Sequence, residues 1–290
     1  MYYWLSCTNF SKNYLPFKNY RFCIENILNL NIQFKNYNDI KENDILIVFS
    51  YDLYNPKNII NEILKNKYKV LIINTENYKF KNIIDLYKLI NNKNNIFLLE
   101  YNVVNINYIK NNYKNINLKF LPLLYNPYLE NIYKEKYIPY SKRKNNILFC
   151  GSLVERRKKV LSIIEKKFNI KKIHQALNLE KQNLELSNSK IILNIYSYEH
   201  NKIFDYFRNS YLLANKCLLI SEYPENIDLS IEKNLIGYKE NLIFFKLDDY
   251  EKVLEKYLHL SEEEYQSIVN KQYEWFKKQN NMKDYAQGIF

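Results

Sequence analysis

Short apolar runs that alternate with amphipathic segments constrain the fold of this chain more than any other feature. Continuous apolar runs bounded by polar turn residues are typical of strands that helices cover on both faces. Alternation of strand and helix predicts a parallel sheet with right-handed crossovers. In the first half we predict strands at residues 2–7, 45–49, 70–73, 96–99 and 118–124, and helices at 58–64 and 83–90.

The alternation breaks at residues 125–145, which contain Pro127, Pro139 and many charges without an apolar period. We therefore predict an N-terminal domain at 1–130, a linker at 131–145 and a C-terminal domain at 146–290, with room for the last helices to pack back on the first domain. In the second half we predict strands at 147–150, 191–196, 217–221 and 242–246, and helices at 153–168, 179–186, 203–215 and 262–277. Two of these helices begin with capping boxes, Ser152 with Glu155 and Ser261 with Glu264.

The chain is basic, with 43 Lys and Arg against 31 Asp and Glu and a net charge of +12. Such a charge is typical of proteins that bind nucleic acid or an anionic membrane. It also follows from the codon bias of a genome rich in A and T, viral or cellular, which favours Lys, Asn, Tyr and Ile and leaves only 3 glycines. The lysines are scattered through every segment, so we favour codon bias and do not expect a nucleic-acid partner.

Cysteine usage and hydropathy predict a cytoplasmic location. None of the 4 cysteines forms a C-x-x-C pair, which disfavours a zinc site and disulfide bonds. Residues 1–10 lack a basic leader followed by an apolar run, so we expect no signal peptide. No apolar run approaches the ~18 residues of a membrane span, although peripheral membrane contact stays open.

Several nucleotide and hydrolase motifs are missing from the sequence. There is no G-x-G-x-x-G, no G-x-x-x-x-G-K-[ST], no H-E-x-x-H, no G-x-S-x-G and no D-x-D. Dehydrogenases of the Rossmann type, P-loop enzymes, zinc proteases, serine hydrolases and metal-dependent transferases of the GT-A type are therefore disfavoured.

The segment 148–157 carries the first positive signal. A strand ends at Gly151, and no other glycine precedes Gly237. A glycine retained in such a sequence indicates a tight turn or a close approach of the backbone to another group. A helix follows with Arg156 and Arg157 in its first turns, and arginines at a helix N-terminus suit a diphosphate. An ordinary strand–turn–helix with solvated arginines explains the same pattern.

The segment 191–222 carries the second signal, a buried strand, a polar loop, an apolar helix and another strand. Arg208 lies within the apolar helix and needs a partner, because an unpaired buried charge is costly. Asp205 is three residues earlier and could be that partner. A phosphate could be the partner instead. Glu222 lies at the carboxyl end of the next strand, where ligand contacts collect.

These segments resemble a GT-B glycosyltransferase group of bacteria and large DNA viruses, described as group 1-like or CgeB-like. The resemblance covers residues 70–278 and is most specific at "LFCGSLVERR", at "LNIY", and at "LLANKCLLISE". It implies a GT-B fold, two Rossmann-like domains with parallel sheets facing a central cleft. It also implies a nucleotide-sugar donor on the C-terminal domain and an acceptor on the N-terminal domain.

The resemblance assigns roles to individual residues. It places Gly151, Arg156 and Arg157 at the donor diphosphate and Glu222 near the ribose or sugar. The sugar and phosphate pocket would be lined by Tyr196, Asn201, Asp205 and Arg208. The E-x7-E pair of many retaining relatives is absent, since Ile203 and Tyr211 stand at its positions. The stereochemistry therefore stays open.

An inverting transfer needs a base that deprotonates the acceptor hydroxyl. In the first half Asp52, Glu76 and Glu100 each lie at or just after a strand's carboxyl end, and we rank Glu76 first. His200, in a loop after a strand, is a further candidate for contact with the sugar.

The predicted function is transfer of a hexosyl or related sugar from a UDP- or GDP-sugar to a glycan, protein or other hydroxyl acceptor, with no cofactor and no metal. Two alternatives stay open. One is a catalytically degenerate GT-B protein that binds a nucleotide or glycan, and the other is a basic α/β protein associated with nucleic acid.

Overall fold

The computed structural model describes residues 1–5, 15–54, 59–130, 138–173, 179–199, 204–224, 237–279, 283 and 289. The chain divides into two compact units. The first consists of Met1–Asn13, Tyr20–Leu123 and Met282–Phe290, and the second of Tyr14–Asn19 and Leu124–Asn281. The main boundary therefore falls before the predicted domain end at residue 130. Residues 131–137 of the predicted linker lie outside the described residues.

The first unit is built on a six-stranded parallel sheet in the order β2-β1-β3-β4-β5-β6. Its strands are β1 (Tyr2–Leu5), β2 (Gln33–Lys35), β3 (Ile45–Phe49), β4 (Lys69–Ile73), β5 (Ile96–Glu100) and β6 (Asn117–Phe120). The helices along this part of the chain are α1 (Leu15–Leu28), α2 (Ser50–Tyr54), α3 (Ile59–Lys65), α4 (Lys81–Ile90) and α5 (Val103–Asn112). The apolar runs form strands because both faces are covered, and β3 and β4 bury four consecutive residues each.

The second unit is built on a five-stranded parallel sheet in the order β11-β10-β9-β7-β8. Its strands are β7 (Asn145–Cys150), β8 (Ile170–Ile173), β9 (Ser189–Asn194), β10 (Leu219–Glu222) and β11 (Ile243–Phe245). Its helices are α6 (Pro127–Glu130), α7 (Glu155–Ile164), α8 (Leu179–Ser187), α9 (Tyr206–Ala214), α10 (Tyr238–Asn241), α11 (Tyr250–Leu258) and α12 (Glu262–Lys277). Phe149, Ile191, Leu193 and Ile220 from the strands share one core with Leu161 and other helix residues.

The strand predictions are confirmed, because every predicted strand overlaps an observed one. The α/β class with parallel sheets is confirmed as well. Two strands were not predicted, β2 with the sequence QFK and β8 with the sequence IKKI. Both lie at a sheet edge and lack a continuous apolar run, so hydrophobic patterning could not reveal them.

The helix starts were predicted less well. The capping box at Ser261 is confirmed, with both of its hydrogen bonds. The one at Ser152 is wrong, because the N-cap of α7 is Val154 and the Ser152 hydroxyl instead accepts a bond from Arg157 at 3.2 Å. The helix predicted at 203–215 begins at Tyr206, since Asp205 is its N-cap. The strand predicted at 118–124 ends at Phe120.

Candidate functional site

The strand order of the second sheet creates a switch point between β7 and β9. The chain passes from β7 outward to β8 and then returns to the opposite side of β7 to form β9. Ligands of open α/β sheets bind outside the carboxyl ends of the strands at such a point, because the loops diverge there and leave a crevice. The loops that leave β7 and β9 contain Gly151 and Tyr196, two of the predicted site residues.

Gly151 directly follows β7 and is tightly enclosed by the protein. A Cβ atom placed there would meet Phe149 Cζ at 3.1 Å and Arg157 Nη1 at 3.3 Å. These are shorter than ordinary van der Waals contacts, so any larger residue would displace a neighbour. The close approach inferred from the sequence is thus to two side chains of the same unit, and a contact with a diphosphate stays a prediction.

Arg157 is buried and fastens the two loops of the switch point to each other. Its Nε donates to the Ile195 carbonyl at 2.8 Å, and its Nη1 donates to the Ser152 carbonyl at 3.2 Å. The guanidinium carbon lies 5.5 Å from the centre of the Phe149 ring. Each of these contacts is made with the protein itself. A direct role of Arg157 towards phosphate stays a prediction.

Arg156 reaches from α7 across the ends of β9 and β10. Its Nη1 donates to the Tyr196 carbonyl at 2.8 Å and to Glu222 Oε2 at 2.9 Å, while Nη2 pairs with Glu222 Oε1. Its Nε donates to Glu199 at 2.5 Å. Burial opposes the charge of Arg156, but the two carboxylates outweigh it and raise the pKa of the guanidinium. Arg156 is therefore a cation held at the switch point by two anions.

Glu222, at the end of β10, is the more deeply buried of these anions. Its side chain is 4% exposed, against 59% for Glu199. Besides the two bonds from Arg156, its Oε2 accepts the backbone N–H of Tyr196 at 3.1 Å. The Tyr196 ring is itself buried, and burial raises the pKa of its hydroxyl. The structure thus brings together Arg156, Tyr196 and Glu222, and the contacts of these residues with a donor stay a prediction.

Arg208 lies in the first turn of α9 and faces the end of β9. Its Nη1 donates to Asn194 Oδ1 at 3.2 Å, and its Nη2 lies 3.8 Å from Asp205. The Asp205 carboxylate also accepts the backbone N–H of Arg208 at 3.2 Å, so it serves mainly as the helix cap. Because this ion pair is long, both partners predicted for Arg208, the Asp205 carboxylate and a donor phosphate, stay predictions.

The charges of this cluster balance one another in the free protein. The members are Arg156, Arg157, Arg208, Glu199, Asp205 and Glu222. An anionic ligand would therefore share Arg156 and Arg208 with the carboxylates that already contact them. The most exposed of these carboxylates, Glu199, is the easiest to displace.

Three carboxylates of the first unit were predicted as candidate bases. Asp52 is 2% exposed and Glu100 is fully buried, whereas Glu76 is partly exposed. Burial raises the pKa of Glu100 to about 7, and hydrogen bonds from Asn74 and Asn105 oppose the shift. A base must reach the proton that it removes. Exposure therefore favours Glu76, which the sequence also ranked first.

Two candidates fall outside the described residues, Asn201 and His200. Other contributors carry little sequence signal. Asn194 and Asn74 follow apolar runs directly and could have been found as polar residues at strand ends. Glu199 lies in a polar loop, where an acidic residue is unremarkable.

Within the described part of the chain, no group of three or more His, Cys, Asp or Glu side chains is placed to hold a metal ion. In the same residues, no helix combines the length and apolarity that a membrane crossing requires.

A cavity of about 560 Å³ lies elsewhere in the second unit, beside β11, α11 and α12. Lys252, Lys256 and Lys271 are among its lining residues. None of the predicted site residues lines it, so it is separate from the cluster at the switch point.

Two parallel α/β sheets in one chain are the architecture of the GT-B glycosyltransferase fold, and comparison with solved structures confirms that this chain has it. An α-glucosyltransferase solved with UDP-glucose and DNA containing an abasic site is 11% identical, with a TM-score of 0.64 over 99% of this chain and 97% of that chain. T4 phage BGT with UDP and Mn²⁺ is 13% identical, with a TM-score of 0.59 over 96% and 95%. An α-glucosyltransferase, AGT, solved with UDP is 9% identical, with a TM-score of 0.61 over 99% and 97%.

Comparisons at the level of sequence found nothing. No protein-family model matches the chain, and no curated protein matches it either. Identities of 9–13% show the fold alone. Membership of the CgeB-like group stays a prediction.

Proposed function

We propose that this protein is a glycosyltransferase that moves a sugar from a nucleoside-diphosphate donor to a hydroxyl acceptor. The observation that carries the proposal is the cluster of Arg156, Arg208 and Glu222 at the switch point of a GT-B sheet. The solved structures of the same fold support it, since they were obtained with UDP or UDP-glucose.

The cluster offers the chemistry that departure of a nucleoside diphosphate requires. Negative charge develops on the diphosphate as the glycosidic bond breaks, and preorganised cations stabilise that charge. Arg156 and Arg208 would bind the phosphates, together with backbone N–H groups at the N-terminus of α7. Glu222 would accept hydrogen bonds from the ribose or sugar hydroxyls. Arg157 would keep the two loops in place through its bonds to Ile195 and Ser152.

The base proposed for an inverting transfer is Glu76. Its partial exposure supports this role, and its backbone is held at both polar groups. The N–H donates to Asn74 Oδ1 at 3.2 Å, and the carbonyl accepts from Asn74 at 2.8 Å and from Asn105 at 2.9 Å. A carboxylate on a fixed backbone can meet an acceptor hydroxyl in one geometry, which accelerates proton transfer.

The acceptor is proposed to be a glycan or a protein. A DNA acceptor is the alternative that a specific observation favours, because one structure of this fold contains DNA beside UDP-glucose and this chain carries a net charge of +12. A steep decline of DNA binding with salt would favour DNA.

The transfer is proposed to need no metal, with the arginines supplying the positive charge. T4 phage BGT was solved with Mn²⁺, so the assay needs parallel reactions with Mn²⁺ and with a chelator. Equal rates in both reactions support the proposal, and a rate that depends on Mn²⁺ contradicts it.

A ligand screen tests the proposal first. Thermal unfolding of the wild-type chain with UDP, GDP and their sugars should show stabilisation by one nucleotide, about 2.7 kcal/mol at 100 times its dissociation constant. If no nucleotide shifts the transition, the proposed donor site is wrong. Binding without any turnover would instead indicate a degenerate GT-B binding protein.

A further inference from the structure

Glu100 lies at the carboxyl end of β5 and is the centre of a buried polar network in the first unit. Its Oε2 accepts hydrogen bonds from Asn74 Nδ2 at 2.7 Å and from the Tyr87 hydroxyl at 3.4 Å. Its Oε1 accepts the backbone N–H of Asn102 at 3.2 Å. Asn105 is a further hydrogen-bond partner of the carboxylate. Fully buried carboxylates are rare, so this one needs a reason for its place.

The partners of Glu100 hold the backbone of the neighbouring loop. The Asn74 amide spans Glu76 by accepting its N–H and donating to its carbonyl. Asn105 donates to the same carbonyl and accepts the N–H of Tyr78 at 3.0 Å. Both amides can be oriented in one way only, because each oxygen faces an N–H and each nitrogen faces an acceptor.

Above its raised pKa of about 7, Glu100 is ionised and fixes these orientations, because a carboxylate only accepts hydrogen bonds. It holds Asn74 Nδ2 and leaves Asn74 Oδ1 for Glu76, with Ser50 as a second donor to that oxygen at 3.0 Å. The titratable side chains that face Glu100 are Tyr87 and Tyr20, and among the described residues no cation pairs with it. A buried charge without a counterion destabilises the fold. The presence of this buried carboxylate is explained if the network has a role other than stabilising the fold.

We propose that Glu100 is a positioning residue that acts through Asn74 and Asn105 to fix the loop 75–78, and with it the carboxylate of Glu76. The catalytic consequence rests on the proposed function, whereas the structural one does not. Glu100 itself is fully buried, so the proposal gives it no contact with the substrate.

Glu100→Gln tests the proposal with little change in volume. A glutamine offers one accepting oxygen and one NH₂ group, so its nitrogen must face a donor, either Asn74 Nδ2 or the N–H of Asn102. In the first case Asn74 loses its orientation. In the second, the start of α5, which carries Asn105, is disturbed. Either way one anchor of Glu76 weakens.

The first measurement is hydrogen exchange at the amides of Glu76 and Tyr78. At a pH above about 8, where Glu100 is ionised, loss of one hydrogen bond to a charged group should speed exchange by about tenfold or more in Glu100→Gln. Glu62→Gln is the matched control, since this carboxylate of the same unit is 46% exposed and should leave both rates unchanged. Unchanged exchange in Glu100→Gln would overturn the proposal, whatever the enzyme does.

The second measurement is transfer from UDP-glucose. Glu100→Gln should lower kcat by about tenfold while the Kd for UDP stays at the wild-type value, because the proposed UDP ligands belong to the second unit. An equal loss of UDP affinity would indicate general destabilisation and contradict positioning. If the wild-type chain transfers no sugar, the proposed function fails, and hydrogen exchange alone then decides whether Glu100 holds the loop.

Discussion

Substitutions in the ion pair between Arg156 and Glu222 distinguish most clearly whether these residues stabilise the second unit or bind a ligand. Two substitutions and their combination test it. Arg156→Met keeps the apolar stem and removes the charge, and Glu222→Gln keeps the shape and removes the opposite charge. Lys158→Met, on the exposed face of the same helix, is the matched control for the loss of a cation.

The expected magnitudes follow from burial. The side chain of Glu222 is 4% exposed beside Arg156, and Arg156→Met removes this ion pair while the bond from the N–H of Tyr196 is kept. Removing one member of a buried ion pair costs about 3–5 kcal/mol, so Arg156→Met should lower the free energy of unfolding by that amount. Glu222→Gln should cost less, roughly 1–2 kcal/mol, because Arg156 keeps Glu199 and the Tyr196 carbonyl.

The double variant should be more stable than Arg156→Met alone, since both members of the buried ion pair are then replaced by neutral side chains. Urea unfolding of the wild type and the four variants measures these differences, and Lys158→Met should stay within about 0.5 kcal/mol of the wild type. If Arg156→Met costs less than about 1 kcal/mol, the assigned burial of the pair is wrong. Calorimetric titration with UDP then tests function, because a folded double variant that binds UDP like the wild type would exclude Arg156 as a donor ligand.

Three further predictions concern other charged groups. Arg208→Met should lower turnover by about two to three powers of ten at an unchanged melting temperature, because its ion pair with Asp205 is long, at 3.8 Å; a lower melting temperature with near wild-type turnover would contradict this. Glu199→Gln should tighten UDP binding by about two- to fivefold, since it frees Arg156 of an exposed competitor; titration showing equal or weaker binding would refute it. Folding raises the pKa of Glu100 from 4.5 to about 7. As the pH rises, the carboxyl of Glu100 therefore loses its proton in the unfolded chain before it does so in the folded one. Stability should therefore fall by up to about 3 kcal/mol between these two pH values, and Glu100→Gln should abolish that slope in urea unfolding.

Hydrophobic patterning was sufficient to predict the α/β class and the strands with continuous apolar runs, because burial on both faces requires such runs. It failed at β8, whose two central residues are exposed lysines. The capping box at Ser152 failed for a different reason. Ser152 and Glu155 have the spacing of a capping box, but in the folded chain the Ser152 hydroxyl accepts a hydrogen bond from Arg157.

The sequence identified candidate site residues but not the contacts among them. Arg156 and Glu222 were both singled out from their places beside strand ends, yet their pairing joins residues 66 positions apart and depends on the strand order. Single-sequence patterns do not contain that order. Glu100 shows a second limit, because its position after an apolar run could not reveal that the carboxylate is fully buried and serves Asn74.

Release of UDP from UDP-glucose tests the central claim most directly. Purified wild-type protein should release UDP at a rate that rises when a hydroxyl acceptor is added, with separate reactions for glycans, protein and DNA. Arg208→Met should lose the activity by about two to three powers of ten, while Lys158→Met should keep it. UDP release that no acceptor accelerates, or that survives in Arg208→Met, would contradict the assignment of the switch-point cluster as the donor site of a glycosyltransferase.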